Sequence, residues 1–148
     1  MPTEMQSSLE PMFHWLLSLG FSERTTTDMA QRLAEPHRFY HGPFHISYLW
    51  SLFLQRQPGL EAEEQIVIGC AIAFHDIIYS IGKQPSVLGA NGVAVTPATN
   101  EEASEIYFRA AIAHDKPTPL TDALVAQISE AGSTTVGRPQ CAEIPHEW

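Results

Sequence analysis

Histidine and carboxylate side chains hold divalent cations and move protons near neutral pH. This chain gathers them at two points: His41 and His45 within Tyr40-His41-Gly42-Pro43-Phe44-His45, and His75-Asp76 directly after Phe74. Each point lies at the end of an apolar helical stretch, so a helical bundle could bring them together. A metal-centred site is the chemistry these residue types suggest. The plain alternative makes His75 a core histidine and Asp76 a helix-surface acid, yet a carboxylate on an apolar stretch is costly to bury unless it is paired. Neighbouring helical residues point about 100° apart, so His75 and Asp76 share a site only near a helix end or around a wide one. An ion with bonds of about 2.0–2.2 Å can be reached by both when it sits between their faces.

His41 and His45 are four positions apart, one face of a continuous helix. Pro43 disfavours helical angles in the residue before it. His41 therefore reads as lying just outside the helix, as a proton donor or a solvent-exposed loop residue, and His45 as lying in the first turn. Arg38 offers a planar fork for a phosphate, or a partner for Glu35. Asn100-Glu101-Glu102 places acids at a helix start, which is favourable in any protein. His14, His37, His114 and His146 have no constellation around them and read as surface or boundary residues.

The elements that must position these groups are helical. Leu9, Met12, Phe13, Leu16 and Leu17 make an apolar stripe from about Ser7 to Leu19. Ser22 is an N-cap for a second helix through Met29 and Leu33, which Pro36 stops. Pro43 suits the first turn of a third, running through Ile46, Leu49, Trp50 and Phe53 to Pro58-Gly59. A fourth helix begins acidic near Leu60 and becomes apolar on all sides from Ile66 to Phe74, which makes it central and buried. The stretch from Ser80 to Ala98 is a long loop, functional or mobile. Thr99 and Glu102 fit a capping box for a fifth helix ending near His114. A sixth runs from Leu120 to Ala131, with Thr121 as a possible cap. No strand pattern competes. The expected organisation is a helical domain over residues 1–131 and an irregular tail over 132–148.

With 148 residues, one domain is expected. The formal net charge of −9 argues against a general nucleic-acid or anionic-membrane binder. The start is polar and acidic, unlike a secretory signal, and no apolar run is long enough to span a bilayer. Cys70 sits in an apolar run and Cys141 in a polar tail, so no disulfide framework is implied and a cytoplasmic location is expected.

Three strings together resemble a family. "RFYHGPFHI", "AIAFHDIIY" and "NEEAS" are similar to the signature segments of the small HD-superfamily predicted metal-dependent phosphohydrolases. Those segments read Arg-x-Tyr-His-x-x-x-His-Ile, Phe-His-Asp-x-x-Tyr and Asn-Glu-x-x-Ser. The preceding "RLAEPHR" fits the same pattern, and the likeness covers roughly residues 10–130. The first segment also resembles the cyclic-nucleotide phosphodiesterase signature of the same wider superfamily. The resemblance implies an all-α, HD-domain-like bundle of about six helices. It implies a phosphohydrolase acting on a nucleotide or other small phosphate ester. His45, His75 and Asp76 would be ligands to a divalent ion (Mn, Mg, Fe, Ni, Co or Zn), which acidifies a water and polarises a phosphoryl oxygen. His41 would be the general acid, and Glu101 would lie close to the attacking water. Arg38 is added as a phosphate-holding residue on its own chemistry.

The chain departs from the family at its far end. The superfamily closes its site with a further Asp on a late helix, and no Asp follows Asp122 here. The chain therefore looks like a C-terminally shortened member with an unrelated tail. Asp115, Asp122, Glu130, Glu143 and His146 are the available substitutes, and no motif selects one. The loop before Asn100 is also longer than the family suggests. The second function is accordingly a non-catalytic HD-fold protein that binds a ligand or partner, and the third a structural helical domain. Helices lost from the end would leave apolar surface, so a homodimer or higher oligomer is expected.

Overall fold

A computed structural model describes the backbone of residues 2–38 and 42–137, and the side chains of 9–38 and 42–132. The described chain is all-α: α1 (Pro2–Leu19), α2 (Glu23–Leu33), α3 (Pro43–Arg56), α4 (Ala62–Phe74), α5 (Asn100–Asp115) and α6 (Asp122–Gly137). A short antiparallel hairpin, β1 (Val87–Leu88) and β2 (Ala94–Val95), lies between α4 and α5.

Local chemistry sets most helix ends. The Ser22 hydroxyl accepts from the Thr25 N–H at the start of α2. Pro43 takes the first turn of α3, where its missing N–H leaves nothing unsatisfied. Glu61 and Glu64 form a reciprocal capping box on α4. The Thr99 hydroxyl accepts from the Glu102 N–H and opens α5. Lys116 closes α5 in the left-handed conformation, φ 52°, and Pro117 prevents its continuation.

Helix α4 is central. Every residue from Val67 to Phe74 is buried, and α3, α5 and α6 all pack on it. Gly69 is what lets the α1 side approach: a Cβ there would lie 2.4 Å from the Trp15 ring. Trp15 in turn meets Trp50 edge-on at 5.3 Å and Phe53 at 5.9 Å, so α1, α3 and α4 share one aromatic core. On the other flank, Leu124, Val125, Ile128 and Ala131 of α6 are buried in the core.

Two boundaries and one loop differ from the periodicity reading. Helix α1 starts at Pro2 instead of Ser7, and α6 continues past Ala131 to Gly137. Gly132, within that continuation, lies beside His75; a Cβ on it would make ordinary contact, 3.5 Å from the His75 Cβ. The long loop is partly ordered by the hairpin, whose buried Val87 anchors β1 against α5. Strands of two residues are too short to leave a period in the sequence. Among the described residues, no helix is long and apolar enough to cross a membrane. Cys141, Glu143 and His146 lie outside the described residues.

Candidate metal centre

The fold brings His45, His75 and Asp76 together. One ligand atom from each lies within 4.8 Å of the others. His45 comes from the first turn of α3, and His75 caps the end of α4. Asp76 follows in the turn that leaves α4. That turn gives the two consecutive side chains freedom to converge, which a continuous helix would deny them.

The geometry around His75 has a definite polarity. Its Nδ1 lies 3.1 Å from the Ala71 carbonyl and 3.0 Å from the Ile72 carbonyl. Carbonyls only accept, so Nδ1 carries the hydrogen. Nε2 then faces the Asp76 carboxylate, 3.3 Å from Oδ2. In the neutral ring, two acceptors oppose each other across that gap. A proton or a cation resolves the conflict. The His75 ring accordingly titrates above its ordinary value: burial pushes the value down, and the Asp76 charge and hydrogen bond, with the two carbonyls, more than reverse it.

His45 is the third corner. Its Nε2 is 3.9 Å from Asp76 Oδ2, and its ring meets that of His75 at 6.0 Å between centroids and 65°. Two atoms each about 2.1 Å from one ion are at most about 4.2 Å apart. The spacings to Asp76 meet that limit. The remaining His45–His75 spacing lies within 4.8 Å, and His45, the most exposed of the three at 35%, is the member freest to adjust. An imidazole locked through its other nitrogen, a second imidazole and a carboxylate are a fitting donor set for a divalent transition metal.

The surrounding residues act on the Asp76–Ser80 backbone. Arg38, its side chain fully buried, donates from its two terminal nitrogens to the Asp76 and Ile77 carbonyls, both at 2.6 Å, while its Nε pairs with Glu35 at 3.0 Å. The Ile78 N–H donates to the Ser104 hydroxyl at 3.0 Å. Asn100 bonds both the N–H and the carbonyl of Ser80, and His37 Nε2 donates to the Tyr79 carbonyl at 2.7 Å. With the Ser104 hydroxyl also 3.4 Å from the Ile78 carbonyl, five side-chain bonds to carbonyls and two accepted from N–H groups fix a turn that has no helix or sheet to hold it.

Of the sequence-derived candidates, His45, His75 and Asp76 meet. Arg38 takes the Glu35 partner and the turn carbonyls, beneath the centre. Glu101 is exposed on the first turn of α5, outside the three-residue cluster, and shares with His75 the lining of a cavity of about 90 Å³. His41 lies outside the described residues. Of the proposed substitute ligands, Asp115 is at the far end of α5, and neither it, Asp122 nor Glu130 joins the cluster. From α6, Ile128, Ser129 and Gly132 share that cavity's lining with His75. The clamp residues His37, Asn100 and Ser104 were not identified from spacing. Asn100 and Ser104 do stand in the "NEEAS" string, which was the available signal.

Comparison with protein-family models, with curated proteins and with solved structures finds no match to this chain.

Proposed function

We propose that this chain is a divalent-metal-dependent phosphohydrolase of the HD type, acting on a nucleotide or other small phosphate ester. The observation that carries the proposal is the meeting of His45, His75 and Asp76 with the His75 tautomer fixed by the Ala71 and Ile72 carbonyls.

A divalent ion held there would supply Lewis-acid polarisation of a phosphoryl oxygen and a more acidic water. The protein's own part is positional. The α4 carbonyls aim His75 Nε2 inward. Arg38, Ser104 and Asn100 keep the turn after α4 from shifting, so Asp76 stays opposite that nitrogen. His41, by its place in the Tyr-His-x-x-x-His string, would deliver a proton to the leaving oxygen. Glu101, on the rim of the neighbouring cavity, would orient the attacking water.

Elemental analysis of purified wild type and His75→Ala tests the reading. Stoichiometric transition metal in wild type and its loss in the variant are expected, with release of phosphate from a panel of esters in Mn²⁺ or Mg²⁺. Equal, negligible metal in both proteins would overturn it. One observation favours the non-catalytic alternative: among the described residues, no fourth histidine or acid joins the cluster of His45, His75 and Asp76. Metal without turnover across the panel would select that alternative. The homo-oligomer belongs to the same proposal; exposed Phe44 and Tyr48, one turn apart on α3, support it, and light scattering at the monomer mass would remove it.

A further inference from the structure

A cleft of about 680 Å³ lies between α2, the hairpin and α5, at the opposite end of α5 from Glu101. Along α5 it runs from Tyr107, whose ring also packs on Phe74 at 6.3 Å, to His114. Its volume is in the range of small-molecule sites.

The space exists because small residues line it. Ala110 and Ala111 face it from α5, and Gly89, Ala90 and Gly92 face it from the hairpin. Leu88, 61% exposed, adds apolar surface at its edge.

One end carries a cation that makes no direct ion pair among the described residues, although its charge helps hold the Asp28 carboxyl low. Among the described residues, Arg32 pairs with Asp28, Arg38 with Glu35 and Arg109 with Glu105. Arg24 has no such partner. It rests instead against the His114 ring, 3.4 Å from Nε2. That contact is arranged from behind. Asp115, its side chain 1% exposed, takes the His114 Nδ1–H at 2.7 Å, the Ser22 N–H at 3.0 Å and the Thr25 hydroxyl at 2.7 Å. With the hydrogen on Nδ1, Nε2 is an acceptor for Arg24. The guanidinium thus rests on an imidazole nitrogen at the lining of the cleft, with one of its five donors engaged there.

We propose that this cleft binds a small organic monocarboxylate, its carboxylate on Arg24 and its apolar body over Ala110, Ala111 and Leu88. A planar guanidinium matches a carboxylate in two-point fashion. A single charge is favoured because Glu23 and Asp28 stand on the same wall and would repel a dianion. This inference is independent of the metal centre.

Titration of benzoate, hexanoate and inorganic phosphate into the ¹⁵N-labelled full chain tests it. Both carboxylates should give saturable shifts at the amides of Arg24, Ala110 and His114, with phosphate weaker. Arg24→Gln, a change at an exposed side chain, should weaken benzoate about tenfold or more. Ala110→Leu should fill part of the apolar floor and weaken benzoate about tenfold without touching the arginine. The proposal is overturned by no saturable shifts, by phosphate binding as tightly as benzoate, or by benzoate binding unchanged in either variant.

Discussion

The dipeptide His-Asp occurs twice in this chain, and the two copies do opposite things. In His75-Asp76 both side chains are buried, and the imidazole nitrogen that is free of backbone contact points at its own neighbour's carboxylate. A third side chain, His45, approaches the same oxygen. In His114-Asp115 the carboxylate is buried and the ring is 61% exposed. There the aspartate is saturated by donors: the ring Nδ1–H, a backbone N–H and a hydroxyl. One copy belongs to a cluster of ligand atoms that could hold a cation. The other is a tertiary cap that ties the end of α5 to the start of α2. What a His-Asp pair can bind depends on how many donors already surround the acid.

The largest contrast should come from neutralising each acid. Asp76→Asn is expected to lower divalent-metal affinity by more than about 100-fold, since even outer partners of metal ligands are worth 10–100-fold. Asp115→Asn should leave it unchanged; equilibrium dialysis with Mn²⁺ or Co²⁺ measures both. Equal losses in the two variants would erase the distinction.

Stability should separate the supports of the two pairs. Arg38→Ala leaves the buried Asp76 and Ile77 carbonyls without their donor and should cost about 2–4 kcal/mol in urea unfolding. Asp115→Asn weakens three hydrogen bonds and should cost about 1–3 kcal/mol at neutral pH. A smaller loss for Arg38→Ala than for Asp115→Asn would mean the turn after α4 is held mainly by packing.

The Asp115 effect should also depend on pH. Burial raises its carboxyl, but the bonds from His114, Ser22 and Thr25 outweigh that and hold it below the usual carboxylate value. A depressed folded value gives stabilisation that is complete above the unfolded value, about 3.9, and is lost as pH falls through the folded one. The gap between wild type and Asp115→Asn should therefore shrink when unfolding is repeated near pH 3. A gap that persists there would show that the charge is not what matters. The smallest effect expected is that of His114→Ala, within about 0.5 kcal/mol of wild type, because the ring is mostly in solvent.

Much of the architecture was legible in the sequence because it is local. Ser22, Pro43, Thr99 and Thr121 act as start signals through bonds or missing bonds within three residues. The apolar run after Ile66 could only be central, since no face of it is polar. The metal triad was legible less from its spacing than from the family-like strings around it, because nothing in His45 and His75 taken separately fixes their distance. The hairpin escaped because each strand has two residues. Trp15 against Gly69 escaped because a glycine inside a helix signals nothing about which ring fills its place.

By itself, then, the sequence determined the helices, their caps and which of them is buried, all consequences of periodicity and short-range hydrogen bonding. Only the tertiary structure decided which His-Asp pair faces a second histidine and which becomes a clamp. The reason is reach. Asp115 acquires its donors from residues 93 and 90 positions away, and Asp76 is held by an arginine 38 positions back. Such distances are set by packing around α4, which no local pattern encodes.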